Sequence, residues 1–277
     1  MQSLRAVPAC SAALAALALW AAVAVGAPAA QASPIVTPHR AVYDLSLLKS
    51  RGEGPVTQAR GRLEFEWADV CSGWTVHQRT RVEVFYAEGA VVDFGWTLTA
   101  FESKDGQHYR FFIRRFDASG PSEELRGEAR LSGPGAGGVA TFSEPEAREV
   151  VLPAGTMFPT AHSLLLIETA EGDALPVWRV VFDGSGDEGL FGVSAVISHP
   201  LPADGEAAVD SPLVRGQRSW RLHMAYFGMD ETVAEPEHEQ TLRLFANGVV
   251  DQLVLDYGDF ALQGDLTEIE SQPPPEC

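Results

Sequence analysis

FPTAHSLLLIETAEGD, residues 158–173, is the one stretch of this sequence that breaks an otherwise alternating pattern, and it decides the fold. Thr160 is placed to act as an N-cap, unbranched helix formers follow, and Gly172 ends the run, so the segment predicts a helix. Its apolar residues Leu164, Leu165, Leu166 and Ile167 are consecutive, too dense for a helix with one face in water. A helix apolar almost all round has to be enclosed. The enclosing material must come from the rest of the chain.

That material reads as strand. Ala41, Tyr43, Leu45 and Leu47 fall on one face of one segment, and Phe94, Trp96, Leu98 and Ala100 on one face of another. Trp220, Leu222, Met224 and Tyr226 alternate with Arg221, His223 and Ala225. Period two with one wet side describes half-buried antiparallel strands. Turn residues recur at Arg51–Pro55, Cys71–Gly73, Lys104–Gly106, Ser119–Pro121, Gly133–Gly138 and Tyr257–Asp259. Asn247-Gly248, between LRLFA and VVDQLVL, carries the residue types of a type I′ hairpin. The expected fold is all-β, a strongly curved antiparallel sheet or partial barrel with the single helix in its concavity.

The amino end sets the compartment. Residues 1–32 show Arg5, a long Ala/Leu/Val run and the triplet Ala30-Gln31-Ala32, the order of a secretory signal peptide cleaved between Ala32 and Ser33. An uncleaved anchor is the alternative, against which stand Gly26, Pro28 and the small-residue triplet. Residues 33–277 then form a single domain in the periplasm, with no membrane anchor once the leader is removed. Two cysteines remain, Cys71 and Cys277. In an exported chain an even pair reads as one disulfide, with two free thiols or a bridge between chains as the alternatives. Pro273, Pro274 and Pro275 favour an extended tail that reaches across a surface with little entropy to lose.

Charge excludes one class of partner. Removing Arg5 leaves 19 basic residues against 38 acidic ones, a formal charge of −19. Nucleic acid and anionic membrane surfaces are repelled by such a chain, and lipid or protein contacts must rest on apolar or shaped surface.

Segments that resemble chemical motifs do not complete them. GPGAGG, 133–138, leads into VATF, a strand, so no helix N-terminus aims amides at a phosphate; a hairpin loop is expected. DGSGDEG, 183–189, matches the first calcium-loop spacings at Asp183, Ser185 and Asp187, but Glu188 replaces the turn glycine and Ser194 the bidentate glutamate. A turn between PVWRVVF and LFGVSAVI is expected. The seven histidines lack metal-ligand spacing, and His162-Ser163 lacks a nucleophile elbow. Glu64 and Glu66 share a strand face with Arg60 and Arg62, a solvated charge ladder. No catalytic residue, metal or cofactor is expected.

Taken together, HRAVYDLSL (39–47), ARGRLEFEWADVCSGWTVHQRTRV (59–82), FGWTLTAFESKDGQHYRFFIRR (94–115), LPAGTMFPTAHSLLLIETAEGD (152–173), VFDGSGDEG (181–189) and the terminal PPPEC resemble the cell envelope integrity EipB family. The resemblance covers nearly all of residues 33–277. It implies a β-spiral of about fourteen strands around a central helix, similar in shape to the lipoprotein carriers LolA and LolB, and a disulfide from Cys71 to Cys277. It carries no ligand site with it.

Two functions are then expected in competition. One is a non-enzymatic periplasmic protein for envelope integrity, holding a lipid, a lipoprotein or a protein partner on a concave apolar face. Phe94, Trp96, Leu98 and Trp220 are the candidate lining residues, and core packing beneath the helix is the competing account of each. The alternative is an envelope hydrolase acting on glycan or lipid, dependent on single polar residues such as His162 or Asp183.

Overall fold

Alternation becomes strand throughout the computed structural model, which describes residues 36–51, 55–172, 176–186, 188–202, 208–229 and 234–277, all within one unit, Ser33–Cys277. The expected leader and its cleavage site at Ala32 and Ser33 lie outside the described residues, as does Asp187. Eight strands come first: β1 (His39–Ser50), β2 (Val56–Asp69), β3 (Gly73–Tyr86), β4 (Val91–Ser103), β5 (His108–Asp117), β6 (Gly120–Leu131), β7 (Gly138–Glu144) and β8 (Arg148–Leu152). The helix α1 (Pro159–Glu171) follows. Six more strands close the chain: β9 (Val177–Phe182), β10 (Leu190–Ile197), β11 (Ser219–Gly228), β12 (His238–Phe245), β13 (Val250–Asp256) and β14 (Phe260–Ser271).

All fourteen strands make one sheet in the order β8-β7-β6-β5-β4-β3-β2-β1-β14-β13-β12-β11-β10-β9, every pair antiparallel. The chain meanders outward from β1 to one border, crosses through α1 to the other, and returns to β1. The packing requires this sheet to curl. One core cluster joins Trp67 of β2 to Phe191, Val193, Trp220 and Leu222 of β10 and β11, with Leu166, Ile167 and Ala170 of α1 among them. Another joins Phe111 and Phe142 of β5 and β7 to Phe182 and Leu190 of β9 and β10. Strands so far apart in sheet order share a cluster only if the two borders approach each other. They do so through Met157, which forms a parallel bridge with Val181 of β9, its N–H donating to the Val180 carbonyl at 2.9 Å.

Gly61 and Gly95 mark a close approach of strands. A Cβ on Gly61 would run into the carbonyl oxygen of Arg81, and one on Gly95 into that of Thr80 and the Phe116 ring. Both carbonyls belong to β3, which lies between β2 and β4, so the backbones of these three strands approach more closely than a side chain at either position would allow.

The 133–138 and 183–189 loops connect β6 to β7 and β9 to β10, as their sequences predict. The Asn247-Gly248 hairpin differs from its expected type. Only Gly248 has positive φ (85°); Gly248 N–H donates to the Phe245 carbonyl at 2.9 Å and Phe245 N–H to that of Val249 at 2.8 Å. This is a three-residue loop, a type I turn followed by a left-handed glycine whose bulge is Gly248 and Val249 opposite Phe245; a second irregularity follows at Arg243/Leu244, where Asp251 is the extra residue. Asn247 instead accepts the Val249 N–H on Oδ1 and donates to the Leu213 carbonyl, which holds it at ordinary φ.

Candidate functional site

The helix in the concavity is fixed at both ends by residues distant in sequence. Thr160 does not cap it. Pro159 occupies the first turn, Phe158 stands at the N-cap position without a side-chain bond, and the free amides of Thr160 and Ala161 donate to the two carboxylate oxygens of Glu102, each at 2.7 Å. Glu102 is on the inward face of β4 and is buried. Burial pushes its pKa up to about 7, although the two amides pull the other way. One turn along, His162 is buried with no partner on Nε2, and burial, with a smaller contribution from the Arg179 charge, lowers it to about 4. At the far end Gly172 is the C-cap, as expected, its N–H bonded to the Glu168 carbonyl, and Arg218 Nη1 lies 2.7 Å from Glu171 Oε2.

Phe94, Trp96 and Leu98 share the inward face of β4 with Ala100 and Glu102, because side chains alternate along a strand. All three are half-buried. Phe94 packs on the core between β1–β3 and β13–β14, and Leu98 on the one between β4 and β10. Trp96 belongs to neither. Beside it on β3, Gln78 pairs with Leu98 and donates to Thr80 Oγ1 at 3.3 Å. Trp220 is a correction: it is fully buried against α1, with its indole N–H unpartnered, and belongs to the core. Of the four candidates, Phe94, Trp96 and Leu98 are left partly exposed on the inward side.

The polar side chains of β3 and β4 that share this face are Gln78, Thr80 and Glu102. The Asp183 carboxylate accepts the Ser185 N–H at 2.8 Å and is pushed up in pKa by burial, while its main-chain oxygen accepts the Tyr109 hydroxyl at 3.2 Å; the segment is a turn that also anchors β5. Among the described residues no three His, Cys, Asp or Glu side chains converge to hold a metal. On the outward face a shallow groove of about 240 Å³ runs between the rows Arg40–Glu66–His77–Thr99 and Glu64–Arg79–Thr97. Arg60 and Arg62 pair with Glu83 and with Glu64 and Glu268 in the exposed ladder anticipated for these strands.

Cys71 and Cys277 are joined by a disulfide, with Cα atoms 5.9 Å apart. Cys71 occupies the β2–β3 turn with φ of 63°, its N–H on Asp69 Oδ1 at 2.9 Å. Lys104 closes the same corner, with Nζ 2.7 Å from Asp69 Oδ2 and 3.2 Å from the Trp74 ring centre. The proline tail leaves β14, donates from Gln272 N–H to the Pro38 carbonyl, and ends at this corner.

A family model described as EipB-like matches residues 29–273. The chain belongs to the EipB-like family. It is 31% identical over 258 residues to the cell envelope integrity protein EipB of Brucella abortus (strain 2308), covering 91% of this chain and 90% of that protein. Its fold is similar to the crystal structure of a β-barrel-like protein of a domain of unknown function from Brucella abortus, with a TM-score of 0.79 at 27% identity over 86% of this chain and 99% of that one. The curved antiparallel sheet with one helix, expected from residues 158–173 and the alternation around them, is the fold observed, and its fourteen strands are the number that the family resemblance implied.

Proposed function

We propose that the chain is exported with cleavage between Ala32 and Ser33 and supports cell envelope integrity in the periplasm without catalysis, holding a lipid, an acylated protein or a peptide partner against Phe94, Trp96 and Leu98. The observation that carries the role is similarity along nine-tenths of the chain to a protein named for cell envelope integrity. The site rests on Trp96, a half-exposed indole on the inward face that no core cluster absorbs. An exposed disulfide cysteine pair is in keeping with an oxidising compartment.

Deleting the gene is expected to sensitise cells to detergent, with resistance restored by the wild-type chain and not by Trp96→Asp. Native mass spectrometry of the protein from the periplasm is expected to show a lipid or lipopeptide adduct that Trp96→Asp loses. A clean apo mass that takes up neither overturns the carrier part. His162→Gln and Asp183→Asn are expected to complement fully; folded variants that fail would put an envelope hydrolase in its place.

A further inference from the structure

Side chains on the inward face pass from buried to exposed along β4, β5 and β6. On β4, Glu102 and Ala100 are buried and Leu98, Trp96 and Phe94 are half-buried. On β5, Tyr109, Phe111 and Ile113 are buried, and Arg115, next on the same face, is exposed. On β6, Ala129 and Leu125 are buried and Glu123 is half-buried. Register sets these changes level with one another. Leu98, Ile113 and Leu125 form one row across the three strands, and Trp96, Arg115 and Glu123 form the next row towards the rim. The concavity therefore has an apolar row with a charged row at its edge, and Trp96 stands in the charged one.

Arg115 Nη1 lies 2.8 Å from Glu123 Oε2, with the two side chains 46% and 35% exposed. That contact takes one guanidinium donor and one carboxylate oxygen, and leaves the rest of both groups to other partners. Thr80 and Leu63 complete the row on β3 and β2, so from β2 to β6 it carries one cation and one anion. Neighbouring charges are engaged elsewhere. Asp117, the register partner of Phe94, accepts the Ser119 N–H at 2.8 Å in the β5–β6 turn. Asp183, raised in pKa by burial and partly offset by the Arg115 charge, accepts that of Ser185. Arg114 and Glu124 pair with each other on the opposite, outward face at 2.7 Å.

A cation and an anion held side by side match a ligand that carries both. We propose that the inward face takes a zwitterionic phospholipid, its phosphate on Arg115, its primary ammonium on Glu123 and its acyl chains on Phe94, Trp96 and Leu98. The head-group site presupposes the apolar site proposed for those three residues. An anionic head would leave Glu123 opposed, and an uncharged one would leave both charges to water. An unacylated peptide brings a backbone donor and acceptor at every residue. The polar side chains nearest to Trp96 on β3, Gln78 and Thr80, are already bonded to each other at 3.3 Å. The acidity of the chain does not oppose a ligand of zero net charge.

The test is native mass spectrometry of the delipidated chain, as cells process it, after incubation in nonionic detergent with equimolar dioleoyl phosphatidylethanolamine, phosphatidylglycerol and diacylglycerol. The ethanolamine adduct is expected to exceed each of the others about fivefold. Arg115→Gln and Glu123→Gln each remove that preference at unchanged thermal midpoint, because a half-exposed ion pair contributes little to folding. The exchange Arg115→Glu with Glu123→Arg restores it, since the head group can turn round. Trp96→Asp loses all three adducts, and Arg114→Gln on the outward face changes none. Equal uptake of the three lipids, a preference for phosphatidylglycerol, or a preference kept by Arg115→Gln would overturn the head-group site and leave the apolar site standing. Displacement of the ethanolamine lipid by an unacylated peptide would overturn it in favour of a peptide ligand. Uptake of no lipid at all would overturn both sites.

Discussion

The Glu102 carboxylate on β4 accepts the backbone N–H of Thr160, at the start of α1, at 2.7 Å across 58 positions of sequence. The contact joins the enclosing sheet to the enclosed helix, and it satisfies amides that nothing local reaches. Glu102→Ala is expected to cost about 2–4 kcal/mol, since two buried donors lose their acceptor. It also sets a pH dependence. The folded pKa of about 7 stands above the ordinary value of 4.5, so this contribution to stability is complete below pH 4.5 and lost as pH rises through 7, on the order of 3 kcal/mol. His162 has the opposite sign: held neutral, it withdraws stability as pH falls from 6.5 towards 4. Asp183, raised by burial, has the sign of Glu102, so the readout is the difference between wild type and Glu102→Gln. Urea midpoints of the two should converge at acid pH and separate towards neutrality. Parallel curves would remove Glu102 from the account.

The disulfide spans a sequence separation of 206, and loop closure of that length destabilises the unfolded chain by about 5 kcal/mol at most. Cys277→Ser, or reductant, is expected to lower the urea midpoint and raise the m-value, because the denatured state expands when the link is gone. An unchanged m-value would mean that the unfolded chain stays compact without it.

Trp220 and Trp96 offer a contrast within one residue type. Trp220→Ala empties a fully buried position and should cost about 3–5 kcal/mol. Trp96→Ala should cost about half as much and abolish adduct formation in the native mass spectrum. Equal stability losses with adducts intact would make Trp96 a core residue too.

Arg243 and Asp251 form an ion pair in which the aspartate is fully buried and the arginine nearly so, with Nε 2.6 Å from Oδ1 and a second contact from Nη2 to Oδ2. Asp251→Asn leaves a desolvated guanidinium against a neutral amide and is expected to cost about 3–5 kcal/mol. Replacing both by leucine or methionine should recover most of the loss. A double-mutant cycle on thermal unfolding measures the coupling, and additive effects would show the pair to be unlinked.

What was legible in the sequence was local. Alternation placed the strands, the consecutive apolar residues 164–167 marked a helix that must be enclosed, and Gly172 marked its end. Thr160 misled because a threonine before a helical run has the chemistry of an N-cap, while the acceptor actually used comes from another strand. Asn247 misled because both turn types accept Asn-Gly, and the choice follows from hydrogen bonds to Leu213 and Val249. Phe94, Trp96, Leu98 and Trp220 obey the same alternation, so periodicity puts all four on an inward face. Only the position of α1 decides which is covered. Arg60 and Arg62 read correctly as part of an exposed ladder, but that Glu83 and Glu268 are their partners depends on strand order.

The pairing of β1 with β14 runs from His39 opposite Ser271 to Ser50 opposite Phe260. The first strand among the described residues is therefore an interior strand of the sheet, with one neighbour available at once and the other available last. A chain emerging amino end first must keep β1 half-paired until its final strand arrives. Losing that strand would split the sheet at its middle, so carboxy-terminal truncation should be far more damaging here than in a fold whose last strand lies at the rim.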